Sequence, residues 1–179
     1  MSDKWMLAAL PTFTESGLLN IVIETPKGSR NKFGFDPTIN AMRLKHVLPE
    51  GMLFPSDFGF IPSTQADDGD PIDVLVLLDA PAISGCVVEA RLIGVIEAEQ
   101  RSKDGAWERN DRLLAVATHA RTHEHVHSLD DLRENLPAEI ETFFQNYNRL
   151  NGGDFRVTGR GDLAAAQRAV EKAKAYFQA

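Results

Sequence analysis

The segment Ile72–Leu78 (IDVLVLL) carries the strongest structural signal in the chain, because nearly every residue in it is apolar. Its length suits a β-strand, and the lack of polar alternation predicts a strand that is buried on both faces. Whatever fold the chain adopts must therefore enclose this segment.

Further strands are predicted through the first two thirds of the sequence. They are β-branched or alternating segments separated by turn residues such as Pro26-Lys27-Gly28. The predicted strands are Leu18–Glu24, Lys32–Asp36, Met42–Leu48, Cys86–Glu99 and Leu113–Ala117. The segment Cys86–Glu99 is long enough for one bent strand or two short ones, with the bend at Gly94.

The last third has helical patterns. Ile140, Phe143, Phe144 and Tyr147 are spaced for one face of a helix that starts near Pro137. A second helix is predicted from Asp162, its N-cap, and its apolar stripe is expected to pack against the core. The stripe consists of Leu163, Ala166, Val170, Ala173 and Phe177.

Strands followed by helices predict a single α+β domain over residues 1–179, built as a small β-barrel with the two C-terminal helices packed outside. The length of 179 residues suits one domain, and 43% hydrophobic with 25% charged residues is ordinary for a globular protein.

The net charge of −7 argues against nucleic acid and membrane surfaces, which attract basic proteins. No segment approaches the roughly 18 apolar residues of a membrane span. A single cysteine, Cys86, excludes an internal disulfide, so a cytoplasmic location is expected.

Four acids lie within the seven residues Asp67–Asp73 (DDGDPID), directly before the apolar strand. Asp68 and Asp70 project to the same side if the backbone is extended. Two such charges about 4 Å apart repel by roughly 4 kcal/mol at an effective dielectric near 20. The pattern therefore indicates a site for a hard divalent cation such as Mg²⁺ or Mn²⁺. The alternative is a solvated acidic turn.

Two other functions remain open at this point. His123, His125 and His127 lie on one side of an extended segment, with His119 nearby, and could hold zinc in a hydrolase or belong to a polar loop. A small barrel can also be a non-catalytic binding module, although the acid cluster argues against one.

The acidic segment Asp68–Val74 (DGDPIDV) resembles the D-x-D-P-x-D-apolar signature of the soluble family I inorganic pyrophosphatases. Five further segments resemble that family in the same order along the chain. They are Val22–Pro26, Phe54–Ile61, Ile93–Val95, Asn110–Val116 and Phe143–Tyr147.

The resemblance implies a closed, OB-like barrel and Mg²⁺-dependent hydrolysis of pyrophosphate to two phosphates, with several ions in a bowl of carboxylates and Mn²⁺ as a possible substitute. A metal-activated hydroxide attacks phosphorus directly, and Asp70 matches the acid beside the attacking water. Asp68, Asp70 and Asp73 match the metal-binding acids of the signature. Members of similar length imply a homo-oligomer, usually a hexamer.

Other assignments follow from position. Lys32, Arg112 and Tyr147 match substrate-binding positions, and Glu24 matches an outer-shell acid. Two more metal carboxylates are expected. They are assigned to Glu99, with Glu97 as the alternative, and to Asp111, with Asn110 as the alternative.

Several positions depart from the family pattern, and most of them are positions that the resemblance assigns to substrate binding. Gly34 replaces an acid, His46 replaces a phosphate-binding arginine, and Asn148 replaces a lysine. Lys45, beside His46, is assigned as the replacement cation, and Phe54 and Phe58 stand where tyrosines are usual. A relative that is inactive on pyrophosphate, or that acts on another phosphoanhydride, is therefore the alternative function.

Overall fold

The computed structural model describes residues 6–178, which form a mixed β-sheet, a separate hairpin and two helices. The strands are β1 (Leu19–Thr25), β2 (Asn31–Asp36), β3 (Ala41–Val47), β4 (Asp57–Phe60), β5 (Asp73–Leu77), β6 (Val87–Arg101), β7 (Glu108–Arg109), β8 (Arg112–Ala117) and β9 (Asp154–Gly161). The helices are α1 (Leu136–Leu150) and α2 (Leu163–Gln178).

The sheet is organised around two parallel strands. β5 pairs in parallel with β8, while β4 and β6 flank them antiparallel, in the order β1-β4-β5-β8-β6-β7. β1 pairs with β6 as well as with β4, and β9 also pairs with β6. β2 and β3 form the separate antiparallel hairpin.

The apolar strand β5 is buried as predicted. Val74, Leu75 and Val76 are fully inaccessible, and the facing residues of β8 are equally buried. With both faces of the strand covered, its two rows of aliphatic side chains contribute to one continuous core.

The segment after Cys86 is one long strand. β6 runs for 15 residues, and its pairing with β8 shifts register between Leu92 and Gly94. A Cβ at Gly94 would lie 2.9 Å from the carbonyl oxygen of Gly161. Gly94 thus marks the predicted irregularity, because only glycine lets the neighbouring backbone approach so closely.

Three strands were not predicted, and one of them is the two-residue strand β7. The aromatic segment Asp57–Phe60 forms β4 and is buried throughout. The last third is not wholly helical, because β9 lies between the two helices and pairs with the far half of β6. β9 (DFRVTGRG) does alternate, but only Phe155 and Val157 are apolar side chains on its more buried side, where Gly159 and Gly161 follow, and its pairing with β6 supplies the stability.

Both predicted helices are present, and their ends differ from the prediction by a few residues. Both pack against the sheet. Ile140 and Phe144 are buried on α1, and Asp162 caps α2 by accepting a hydrogen bond from the Ala165 N–H at 2.8 Å. Only the middle of the predicted α2 stripe is buried, namely Ala166, Val170 and Ala173.

The two ends of the stripe differ from the prediction. Leu163 and Phe177 are 38% and 48% exposed, because both ends of α2 extend past the sheet. Within residues 6–178, no helix is long and apolar enough to cross a membrane.

Gly59 on β4 provides a test of the β1–β4 contact. A Cβ there would overlap the carbonyl oxygen of Val22 and lie 2.9 Å from its carbonyl carbon, and neither backbone atom can move without breaking the pairing. We expect Gly59→Ala to lower the free energy of unfolding by about 3 kcal/mol in a urea titration.

Gly34→Ala is the matched control, because the added Cβ would meet the flexible side chain of Lys45. Its free energy of unfolding should stay within about 1 kcal/mol of the wild type. Equal stability of the two variants would show that the close approach at Gly59 is not a constraint.

Candidate active site

The acidic loop between β4 and β5 is held in place by its own backbone. The Thr64 hydroxyl accepts the Ile72 N–H at 3.1 Å, and the Ala66 N–H donates to the Asp70 carbonyl at 2.7 Å. Gly69 has φ +89°, a left-handed conformation that glycine adopts without strain. The resulting turn presents Asp68 and Asp70 at the entrance of β5.

The carboxylate of Asp68 lies among other acids. It accepts the Asp70 N–H at 3.1 Å. Burial raises the pKa of Asp68, and the charges of Asp73 and Asp70 add to this effect. Burial and the neighbouring charges thus both disfavour the ionised form of Asp68.

Arg112 lies at the centre of the site and is 5% exposed. Its Nη1 lies 2.7 Å from Oδ2 of Asp73 and donates to the carbonyl and side-chain oxygens of Asn110. The guanidinium also lies 4.8 Å from the Phe144 ring. Asn110 in turn donates from Nδ2 to Oδ2 of Asp68 at 3.3 Å.

Lys32 and Glu24 form a second, mostly buried pair at 3.5 Å. The Lys32 ammonium lies 4.0 Å from the Phe58 ring centre, and Glu24 accepts the Phe35 N–H at 2.7 Å. Burial lowers the pKa of Lys32 and raises that of Glu24, partly offset by their mutual attraction. Phe58, which stands where a tyrosine is usual, thus supplies a cation–π contact to the lysine.

Tyr147 on α1 belongs to the same site. Its ring stacks on Phe143 at 6.0 Å and lies 6.2 Å from that of Phe54. Burial raises the pKa of the Tyr147 hydroxyl, with opposite smaller effects from the charges of Arg112 and Asp73. The phenol therefore stays a hydrogen-bond donor at neutral pH.

The structure places Lys45 where Gly34 leaves room. The position of a Cβ on Gly34 is 3.0 Å from Lys45 Cε and 3.7 Å from Glu24 Oε1. Lys45 thus passes over the glycine toward the Glu24–Lys32 pair. His46 is exposed and lies opposite Lys32 in the hairpin register.

A cleft of about 310 Å³ opens beside the acidic loop. Its acids are Asp67, Asp68, Asp73, Glu97 and Asp111, its amides are Gln65 and Asn110, and α2 contributes Arg168, Lys172 and Tyr176. The sequence analysis did not select these three α2 residues, although their spacing of four places them on one helical face.

The lining of the cleft favours Glu97 over Glu99 as the further metal-binding carboxylate. Glu97 lines the cleft, whereas Glu99 is outside its lining and pairs with Arg156 at 2.5 Å. The register shift between Glu97 and Ala98 in the β6–β9 pairing separates the two glutamates.

Asp111 lines the cleft but already has partners. Its Oδ1 accepts the Ala98 N–H at 3.1 Å, and its Oδ2 accepts from Arg109 Nε at 2.7 Å. Asp70 is exposed on the loop and is not part of the cleft lining. The predicted acids are therefore neighbours but do not all point to one centre.

Within the described range 6–178, no three His, Cys, Asp or Glu side chains are close enough together to hold a metal ion. The donors nevertheless suit a hard cation in kind, because they are carboxylates. The residues present thus fit a divalent cation in donor chemistry.

The histidine segment is organised by other contacts. The Arg91 guanidinium donates to the carbonyls of His123, Glu124 and Val126 at about 3 Å. Asp79 accepts the backbone N–H groups of Arg121 and Thr122. These bonds are those of an ordered polar loop.

The comparisons with known proteins agree with one another. The profile of the family described as "Inorganic pyrophosphatase" matches residues 21–178. The chain is 38% identical over 166 residues to an inorganic pyrophosphatase of Synechocystis sp., covering 93% of this chain and 95% of that protein.

Solved structures give the same result. The crystal structure of inorganic pyrophosphatase from Thermus thermophilus is similar with a TM-score of 0.88 and 36% identity, covering 97% of this chain and 99% of that one. The Helicobacter pylori inorganic pyrophosphatase is similar with a TM-score of 0.85 and 32% identity, covering 95% and 99%.

The raised pKa of Asp68 gives a pH-dependent prediction. The folded chain binds this proton more tightly than the unfolded chain, so the charged form costs stability above the raised pKa. We expect Asp68→Asn to raise the thermal unfolding midpoint at pH 7 without divalent cations by up to about 4 °C. Scanning calorimetry measures the shift.

The gain should disappear below about pH 3.9, where Asp68 is protonated in both the folded and unfolded chains. A midpoint at pH 7 equal to or below that of the wild type would contradict the unfavourable placement of the Asp68 charge in the folded chain.

Proposed function

The chain belongs to the inorganic pyrophosphatase family and hydrolyses pyrophosphate, and we propose that the reaction takes place between the acidic loop, the start of β8 and α1. The observation that carries this location is the gathering of acids, cations and a phenol around Arg112. Asp73 forms an ion pair with Arg112. The charge of Arg112 also lowers the pKa values of Lys32 and Tyr147, although burial is the larger effect on both.

Asp68, Asp70 and Asp73 supply the carboxylates of the cation site. Asp68 and Asp73 line the cleft together with Glu97 and Asp111. Glu97 takes the place first assigned to Glu99. The cation is Mg²⁺, with Mn²⁺ as a substitute, since both prefer carboxylate oxygen. When bound, it lowers the pKa of water and neutralises phosphate charge.

Asp70 is the proton acceptor for the attacking water. Asp70 is exposed on the acidic loop, next to the cleft-lining residues Asp68 and Pro71, so water can reach it as a general base requires. Asp68 is fixed behind it by the Asp70 N–H and by Asn110. Attack is direct on phosphorus, with no covalent enzyme intermediate.

The cationic side binds the phosphates. Lys32 and Arg112 present charges that the fold holds in place, and Tyr147 adds a neutral hydroxyl donor. Lys45 replaces the expected arginine as a point charge without a bidentate fork. Glu24 orients Lys32 through their ion pair.

The pairing of β1 with both β4 and β6 supports a closed, OB-like barrel, because it joins the two ends of the path β1-β4-β5-β8-β6. A cytoplasmic homo-oligomer is proposed on the family resemblance and on the single cysteine.

Asp70→Asn tests the assigned base. Asparagine keeps the shape of the loop but cannot accept a proton, so we expect phosphate release from pyrophosphate with Mg²⁺ to fall by at least about 100-fold. Asp104→Asn, in the exposed loop before β7, is the control and should keep wild-type turnover. Wild-type turnover in Asp70→Asn would refute the assignment.

The histidine loop gives a separate prediction. His123→Ala combined with His125→Ala should leave Mg²⁺-dependent turnover within about twofold of the wild type, because this loop is held by Arg91 and Asp79. Loss of activity together with loss of bound zinc after chelation would instead support the zinc hydrolase.

A further inference from the structure

The C-terminal half of α2 lies against the acidic loop, although the two are 105 residues apart in the chain. The Gln65 N–H donates to the carbonyl oxygen of Ala173 at 2.8 Å. From the adjacent position on the helix, the Lys172 ammonium donates to both carboxylate oxygens of Asp67, at 3.0 and 3.1 Å. A backbone bond and an ion pair thus join α2 to the segment directly before Asp68.

The helix holds Lys172 in position for this contact. Its neighbour Ala173 is 3% exposed and belongs to the hydrophobic core, so this turn of α2 is anchored to the rest of the protein. The Lys172 ammonium also lies 5.3 Å from the centre of the Tyr176 ring, one turn further along the helix. The ammonium can therefore hold Asp67 in place relative to the core.

Most of the other hydrogen bonds of the acidic loop are internal. The Ala66 N–H donates to the Asp70 carbonyl at 2.7 Å, and the Gly69 N–H donates to the Ala66 carbonyl at 3.0 Å. These bonds set the shape of the turn, but its position depends on bonds to other parts of the chain. Asn110 contributes one such bond, to Asp68, and α2 contributes the contacts described above.

We propose that α2 positions the acidic loop through Lys172 and the carbonyl of Ala173, and that Lys172 is a positioning residue for Asp68 and Asp70. It acts through Asp67, the residue directly before Asp68. This inference rests on the proposed function, because the proposed function assigns the divalent cation to these two acids.

Two effects of Lys172 on cation binding have opposite signs. A positive charge near the acids repels a divalent cation, so removal of the charge alone would tighten cation binding. A contact that holds the acids in place favours binding, so removal of that contact weakens it. The direction of the change therefore separates positioning from simple charge neutralisation.

The test compares Lys172→Met with Lys174→Met in the purified full chain. Methionine keeps an unbranched side chain and a high helix propensity but removes the charge. Lys174 is the matched control, because it lies on a different face of the same helix, with its ammonium 5.3 Å from the centre of the Phe13 ring. Circular dichroism verifies that both variants are folded.

The first measurement is hydrogen exchange, followed by mass spectrometry without divalent cations. We expect the amides of residues 65–70 to exchange about threefold faster in Lys172→Met, which is the size of effect that a partly exposed ion pair gives. Lys174→Met should match the wild type, and so should Lys172→Arg, which can still pair with Asp67. Wild-type exchange of this segment in Lys172→Met would overturn the inference.

The second measurement is Mn²⁺ binding, from the electron paramagnetic resonance of free Mn²⁺ without pyrophosphate. We expect Lys172→Met to bind Mn²⁺ about threefold more weakly than the wild type, while Lys174→Met and Lys172→Arg bind it as the wild type does. Equal or tighter binding in Lys172→Met would refute the positioning role.

Phosphate release from pyrophosphate by the wild-type chain tests the proposed function separately. Release, with wild-type exchange and Mn²⁺ binding in Lys172→Met, overturns the role of Lys172 and leaves the hydrolase standing. No release, with faster exchange and weaker Mn²⁺ binding in Lys172→Met, supports the role of Lys172 and refutes the hydrolase.

Discussion

The ion pair between Asp73 and Arg112 lies where the buried core of this chain meets its candidate active site. It lies at the entrances of the two parallel strands, where the buried aliphatic rows of β5 and β8 end. Parallel pairing places the first residues of both strands side by side, so a charge on one must be matched by the other or left unpaired in a half-buried position. The acidic loop and the helix α1 are arranged around this pair.

From this pair the site divides into an acidic and a cationic half. The loop of Asp68 and Asp70 lies on one side, stabilised by backbone bonds and by the amide of Asn110. Lys32 and Tyr147 lie on the other, packed against phenylalanine rings. A polyanionic substrate needs both halves, because cations must neutralise the acids before the phosphates can approach.

Local sequence patterns predicted the strand that is buried on both faces and the two amphipathic helices. β5, α1 and the N-cap at Asp162 follow from residues close together in sequence. β9 was missed because its alternation is carried by only two apolar side chains, Phe155 and Val157, with glycines in its second half, and its pairing with β6 completes the strand.

The acids of the site were predictable from the DGDPID spacing and its family resemblance, but their partners were not. The Asp73–Arg112 contact depends on a parallel register between segments about 40 residues apart. Likewise, the choice of Glu97 over Glu99 depends on a register shift within β6–β9, and Lys45 lies over Gly34 only through the pairing of the hairpin. Such contacts exist only in the folded chain.

The central claim is that the acidic loop at the entrance of β5 holds the divalent cation. Anomalous diffraction from crystals of the chain soaked in Mn²⁺ tests it most directly. The account predicts a peak within coordination distance of the Asp68 and Asp70 carboxylates. A peak at His123 and His125 alone, or no peak at the acidic loop, would contradict it.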